Sequence, residues 1–122
     1  MLRYDCPFQS AVRVARERTS IGGQSIGEGQ RVLILLGAAN TDPSRFAQPD
    51  AFQINRADNR HLAFGSGIHS CLGLPLANAM ARAAIGALVE HLPRMRLVAR
   101  RPDWQFEVAG FRALRTLRVT FV

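Results

Sequence analysis

Cys71 stands between a glycine-punctuated loop and a long helical pattern, and that placement suits it to bind a metal. The stretch reads Phe64-Gly65-Ser66-Gly67-Ile68-His69-Ser70-Cys71-Leu72-Gly73. Cysteine ligates metal as the thiolate, a form that a free cysteine pKa of about 8.5 disfavours at neutral pH. A helix N-terminus counters this, because it carries partial positive charge and its first N–H groups lack intrahelical partners. The amides after Cys71 are therefore expected to hydrogen-bond its sulfur and tune the metal it holds. Pro75 suits the first turn of that helix, where a missing N–H costs little. Gly65 and Gly67 can take positive φ and let the loop turn sharply before the sulfur. Gly73 leaves the helix start bare, so that a flat group could press against it, and Phe64 could shield the sulfur from water.

One cysteine leaves most of a metal's coordination unfilled. Cys6 has no zinc-like spacing to Cys71; it lies beside Pro7 and reads as a small packing residue. The remaining ligands would come from a cofactor. Haem meets that need, and a thiolate on haem iron pushes electron density toward O–O cleavage. A buried, inert cysteine in a glycine-rich turn is the alternative, and the whole pattern Phe-x-x-Gly-x-His-x-Cys-x-Gly weighs against it.

That pattern resembles the haem-binding signature of the cytochromes P450, in the form common among soluble bacterial members. Phe64, Gly67, His69, Cys71 and Gly73 carry the match. The resemblance runs from Met1 to the C-terminus and covers the last part of a P450 catalytic domain, so residues 1–122 are expected to be a partial domain with its cysteine loop at 64–73. It implies haem b as cofactor and Cys71 as the axial ligand, sheltered by Phe64 and Gly65. His69 would contact a haem propionate. Arg13 matches the family arginine that pairs with a propionate, a role for which a bidentate guanidinium is suited. Phe8, Gln9, Ser10, Ala11 and Val12 match a segment that passes beside the haem and lines the substrate pocket. Gly110-Phe111 would form a turn reaching toward substrate. Arg3 sits where the arginine of a Glu-x-x-Arg helix belongs, its glutamate falling one residue before Met1, and Arg56 resembles the third member of that structural set. Taken alone, Arg3 reads equally as a frayed terminal residue and Arg13 as an exposed strand residue.

The activity implied is that of a monooxygenase. One atom of O2 would enter a small organic substrate and the other would leave as water, with electrons from a ferredoxin or flavoprotein. The oxygen-activating helix with its acid–alcohol pair does not match any part of these 122 residues, so no catalytic residue is expected here. A truncated, inactive fragment is the second reading. A basic nucleic-acid-binding module is the third.

The elements that must position these residues point to an α+β segment: short strands and turns, the cysteine loop, one long helix and terminal strands. Met1 to Tyr4 is expected to be a helix tail ended by Asp5-Cys6-Pro7. Val12 to Arg16 alternates as a strand should. Ile21 and Ser25-Ile26 would flank the Gly22-Gly23 turn, and Arg31 to Leu36 reads as a buried strand. Thr41-Asp42-Pro43 opens a short turn or helix, Phe46 and Phe52 are expected to plug a core, and His61 reads as a polar loop residue. Leu72, Leu76, Met80, Ala83 and Ala84, Ala87 and Leu88, and Leu92 recur at helical steps. The helix is thus expected over about 72–92, stopped by Pro93. In its second turn Asn78 and Met80 stand where the family often has an arginine and an acid. Met95 to Val98, Phe106 to Val108 and Leu117 to Val122 read as strands.

A chain of 122 residues suffices for one small domain, and a 48% hydrophobic content is that of a globular one. The longest apolar stretch, Val32 to Ala39, falls well short of the ~20 residues a bilayer span needs. No secretory signal pattern opens the chain. With two cysteines and a metal-ligand reading for one, a reducing, cytoplasmic setting is expected. Net charge is +7, and all 16 basic residues are arginine. Such charge raises the nucleic-acid reading. The arginines are spread along the chain, however, and Tyr4 and Trp104 do not alternate with them as stacking platforms, so neither nucleic acid nor membrane is an expected partner. The helix's many alanines imply close approach to neighbouring helices, and the isolated chain is expected to expose apolar surface and associate.

Overall fold

The computed structural model describes residues 1–98, 101–105 and 110–122. The chain divides into two compact units. The first holds Met1–Ala63 and the described part of Ala109–Phe111; the second holds the described residues of Phe64–Val108 and Arg112–Val122. Among the described residues, no helix is long and apolar enough to cross a membrane.

In the first unit, β1 (Ala11–Val14) pairs antiparallel with β4 (Arg31–Ile34), Arg13 lying opposite Val32. Between them, β2 (Thr19–Ile21) and β3 (Gln24–Ile26) form a hairpin. Gly22 and Gly23 close it at φ 57° and 79°, the doubly positive turn whose twist matches the flanking strands. Both long strands stop earlier than their sequence suggests. β1 ends at Val14, and Ala15 continues with a single amide bond to the Gln30 carbonyl at 2.9 Å. β4 ends at Ile34 and is largely exposed, because it has a strand partner on one side only. Leu36 instead begins α1 (Leu36–Asn40), a short helix the sequence reading did not expect. Met1 to Tyr4 forms a turn, its carbonyl at Met1 accepting the Asp5 amide at 3.0 Å.

The small core of this unit is unusual in content. Arg3, Cys6, Asn40, Phe46 and Ala63 are its buried residues. Two guanidiniums approach the Phe46 ring, with Arg3 at 5.1 Å and Arg45 at 5.0 Å from its centroid. Phe52, expected as a second plug, is half-exposed; it meets Tyr4 edge-on at 5.4 Å, at the surface. Arginines tie the irregular run after α1. Arg3 donates to the carbonyls of Asn40 (2.6 Å) and Pro49 (2.7 Å), and Arg56 to those of Ala47, Gln48 and Ala51. At the surface Arg45 grips Asp58 with two bonds, at 2.7 and 3.2 Å, and holds that carboxyl well below the usual carboxylate range.

In the second unit, the dominant element is α2 (Leu74–His91). It starts two residues after the expected Leu72 and has Pro75 in its first turn. Leu92–Arg94 follows as one tighter helical turn, with Pro93 inside it. Then come β5 (Met95–Leu97), β6 (Asp103–Gln105), β7 (Ala113–Thr116) and β8 (Val119–Phe121). β5 pairs with β8, and β6 with β7. The expected strand over Leu117 to Val122 is therefore shorter: β8 spans Val119–Phe121, Leu117 and Arg118 link it to β7, and the Arg118 carbonyl accepts the Val98 amide at 3.0 Å. The expected strand over Phe106 to Val108 lies outside the described residues.

Candidate functional site

The cysteine loop lies wholly in the second unit, and its shape comes from backbone constraints. Gly65 and Gly67 stand at φ 72° and 61°. A side chain at Gly65 would also be blocked, because its Cβ would come within 2.8 Å of the His69 carbonyl. Gly67–His69 makes one helical turn, closed by the Ser70 amide on the Gly67 carbonyl at 3.0 Å. The Cys71 amide then returns to the Phe64 carbonyl at 2.8 Å, which ties the two ends of the loop together. These bonds present the Cys71 side chain at the surface, next to Gly73, whose Cβ would lie at 3.8 Å from the sulfur.

Amide bonds to that sulfur were expected, and none is formed among the described residues. Because α2 begins only at Leu74, the Leu74 amide turns to the Cys71 carbonyl at 3.2 Å and the Ala77 amide to the Gly73 carbonyl at 2.8 Å. The first amide of the helix, that of Leu74, therefore serves a backbone oxygen, and the Ala77 amide makes the first intrahelical bond.

The two cysteines differ in what they can do. Cys6 is buried, its thiol donates to the Phe8 carbonyl at 2.9 Å, and burial pushes its pKa up. Such a thiol stays protonated and inert. Cys71 is exposed, flanked by Ile68 and Leu72, which are 96% and 98% exposed. Among the described residues no cluster of three or more His, Cys, Asp or Glu side chains gathers around a possible metal. A single accessible sulfur with apolar flanks and no competing ligands fits a metal that brings its own planar ring of donors. His69, two residues before the sulfur, is exposed in the same loop, and Phe64 is half-buried at its start.

The first unit holds the other expected site residues. Arg13 is exposed on β1, and its Nη1 donates to the Val12 carbonyl at 2.9 Å. The two segments expected near substrate meet here. Phe8 and Phe111 form an isolated antiparallel bridge with ring centroids 4.9 Å apart, and the Gln9 amide donates to the Gly110 carbonyl at 2.7 Å. Gly110 takes φ 74°, the backbone turn expected at this point. The Gln9 carbonyl accepts the Gly37 amide at 3.0 Å, and its side-chain amide donates to the Cys6 carbonyl. Ser10 is half-buried beside Gly110, Ala11 opens β1, and Val12 is exposed. Arg3 is not frayed: it is 3% exposed and bonded at both Nη atoms, and burial, then the Arg56 charge, lower its pKa.

Asn40 was missed by the sequence reading. It is 1% exposed, and its Oδ1 accepts the Leu62 amide at 2.7 Å. The available signal was a single amide closing the apolar run Val32 to Ala39.

Known proteins share this chain's sequence and fold. A family model described as Cytochrome P450 matches residues 1–94. The biotin biosynthesis cytochrome P450 of Bacillus subtilis is 47% identical over 121 residues, 98% of this chain and 30% of that protein. A crystal structure of P450BioI, in complex with hexadec-9Z-enoic acid ligated acyl carrier protein, superposes with a TM-score of 0.89 at 47% identity, covering 99% of this chain and 31% of that one. The cytochrome P450 PksS of the Bacillus subtilis bacillaene polyketide synthase superposes with a TM-score of 0.91 at 37% identity, covering 98% of this chain and 31% of that one. The chain thus spans about 30% of the length of the relatives it matches.

Proposed function

The chain belongs to the cytochrome P450 family, and from that premise we propose that residues 1–122 are the haem-thiolate part of a monooxygenase domain, with the cysteine loop at 64–73. The observation that carries the reading is the exposed Cys71 sulfur on a loop tied by the Cys71 amide to the Phe64 carbonyl. Cys71 Sγ would hold the iron of haem b as its thiolate ligand. When bound, haem b supplies the oxygen chemistry, by which one atom of O2 enters a small organic substrate and the other leaves as water.

The chain's own residues bind and orient. Gly73 offers no side chain against a flat ring, and Phe64 with Gly65 would shelter the sulfur once the ring is bound. Covering Ile68 and Leu72 would stabilise the bound form by about 1.5–3 kcal/mol each. His69 and Arg13 would hold the propionates, Arg13 with a fork suited to a carboxylate. Phe8, Gln9, Ser10, Ala11, Val12 and Phe111 line the substrate space, with the Phe8–Phe111 ring pair as its apolar wall. Arg3 and Arg56 hold backbone carbonyls in place. Electrons come from a ferredoxin or flavoprotein, in the cytoplasm. The likeness to a P450 solved with a carrier-ligated acyl chain makes such a chain the substrate class to try first.

The test is spectroscopic. Haem is added to the purified protein, which is then reduced and exposed to CO. Thiolate ligation is expected to give the strongly red-shifted Soret band, and Cys71→Ala to remove it. A native protein without that band, or a Cys71→Ala variant that keeps it, overturns the reading.

A further inference from the structure

We infer that a surface cleft of the second unit, between the end of β5 and the open end of the β6–β7 pair, binds a carboxylate that carries a short apolar tail. This does not rest on the haem-thiolate reading above. The cleft has a volume of about 360 Å³. Leu97, Pro102 and Leu117 supply its apolar lining, and Arg101, Arg118 and Asp103 its charges. The strand register brings the two arginines to it. Asp103 stands opposite Thr116 in the β6–β7 ladder. Two residues beyond that pair, one on each side of the ladder's open end, come Arg101 and Arg118. The Arg118 carbonyl accepts the Val98 amide at 3.0 Å, which ties this end to the end of β5, beside Leu97.

The charges there are unbalanced. Neither guanidinium has an ion pair or a side-chain hydrogen bond among the described residues. Asp103, the one acid of the lining, already faces Arg115 at 3.8 Å. Arg101 and Arg118 against Asp103 leave one positive charge in excess, which a single monoanion balances. The planar fork of a guanidinium matches the two oxygens of a carboxylate. The leucines set the rest of the ligand. Leu97 and Leu117 are 65% and 54% exposed, so the cleft holds apolar area open to water, and covering that area favours a tail. A bare anion gains nothing from the leucines, and a neutral chain leaves the guanidiniums unanswered.

The experiment titrates octanoate, below its micelle-forming concentration, into the protein as its reading frame encodes it, and follows backbone amide shifts by NMR. The Leu97, Asp103 and Leu117 amides are expected to move together and to saturate. Arg101→Gln and Arg118→Gln are each expected to weaken binding about threefold or more, as for exposed ion pairs, and the double variant to abolish saturation. Asp103→Asn, which takes the acid out of the cleft, is expected to tighten binding. Acetate and 1-octanol, the head and the tail alone, are expected to bind at least about tenfold more weakly than octanoate. Amides of the cleft that do not move overturn the inference, as do shifts spread along α2 without saturation, which mark detergent-like adsorption. So does wild-type affinity in both single arginine variants, or 1-octanol that binds as tightly as octanoate. Inorganic phosphate of equal affinity at the same amides overturns it too, by making the cleft a plain anion site. If the arginine variants do not fold, Asp103→Asn decides, and unchanged or weaker binding in it overturns the inference.

Discussion

The two units of this chain are held by different means. The first contains all the buried residues of the described chain, and several are polar or pressed against charge: Arg3, Asn40, and Phe46 near two guanidiniums. Its bonds run between residues far apart in sequence, such as Arg3 to Pro49 and Leu62 to Asn40. The second unit, which carries Cys71, has no buried residue among those described. Its loop and helix are held by short-range backbone bonds, and Leu76, Met80, Leu88 and Val89 of α2 stay exposed. The contrast teaches that the candidate site owes its shape to turn geometry, with no core of its own beneath it. An exposed apolar helix face of this kind is the surface that would drive association of the isolated chain.

The sharpest way to break that comparison is Phe46→Ala. Removal of a buried ring is expected to cost about 3–5 kcal/mol in denaturant unfolding. Leu72→Ala, at a nearly fully exposed side chain, should stay within about 0.5 kcal/mol. A loss at Leu72 as large as that at Phe46 would show a core in the second unit. Next in size is Arg3→Met, which strips charged donors from the Asn40 and Pro49 carbonyls. It is expected to cost about 1.5–3 kcal/mol in the same melt.

Gly86→Ala should act with the opposite sign. Gly86 lies inside α2, and a Cβ there meets nothing within 4 Å. Alanine is expected to stabilise by about 0.5–1 kcal/mol, read as an upward shift of the unfolding midpoint. Destabilisation instead would mean that this helix face is covered.

The smallest effect is one of pH. Burial lowers the His61 pKa from its ordinary 6.5. The unfolded chain therefore takes up the proton first. The contribution to stability is full above the unfolded value and is lost as pH falls through the lower folded one. His61→Gln is expected to flatten the fall in stability between about pH 6.5 and more acid conditions, as measured by unfolding across pH. An unchanged slope would place the titrating group elsewhere.

Local features were the legible ones. The Gly22-Gly23 hairpin follows from two adjacent glycines between short apolar runs, and the turn before Cys71 from Gly65 and Gly67. The long helix was visible in its apolar spacing, yet its start was read two residues early, because nothing in the spacing says which amide makes the first intrahelical bond. Leu36, which opens α1, was read as the end of a strand, since a short apolar run suits either. The exposure of Phe52 depends on neighbours distant in sequence, and so do the anchoring of Arg3 and the role of Asn40.

The order of residues alone determined where a lone sulfur, its glycine turns and the following helix would stand, because those constraints act between neighbours in the chain. Folding alone decided that Phe52 stays at the surface, that Arg3 is sealed beneath the Asn40 and Pro49 carbonyls, and that a buried asparagine accepts the Leu62 amide. Each of these depends on which distant backbone groups find one another once water is excluded, and spacing along the chain does not encode that.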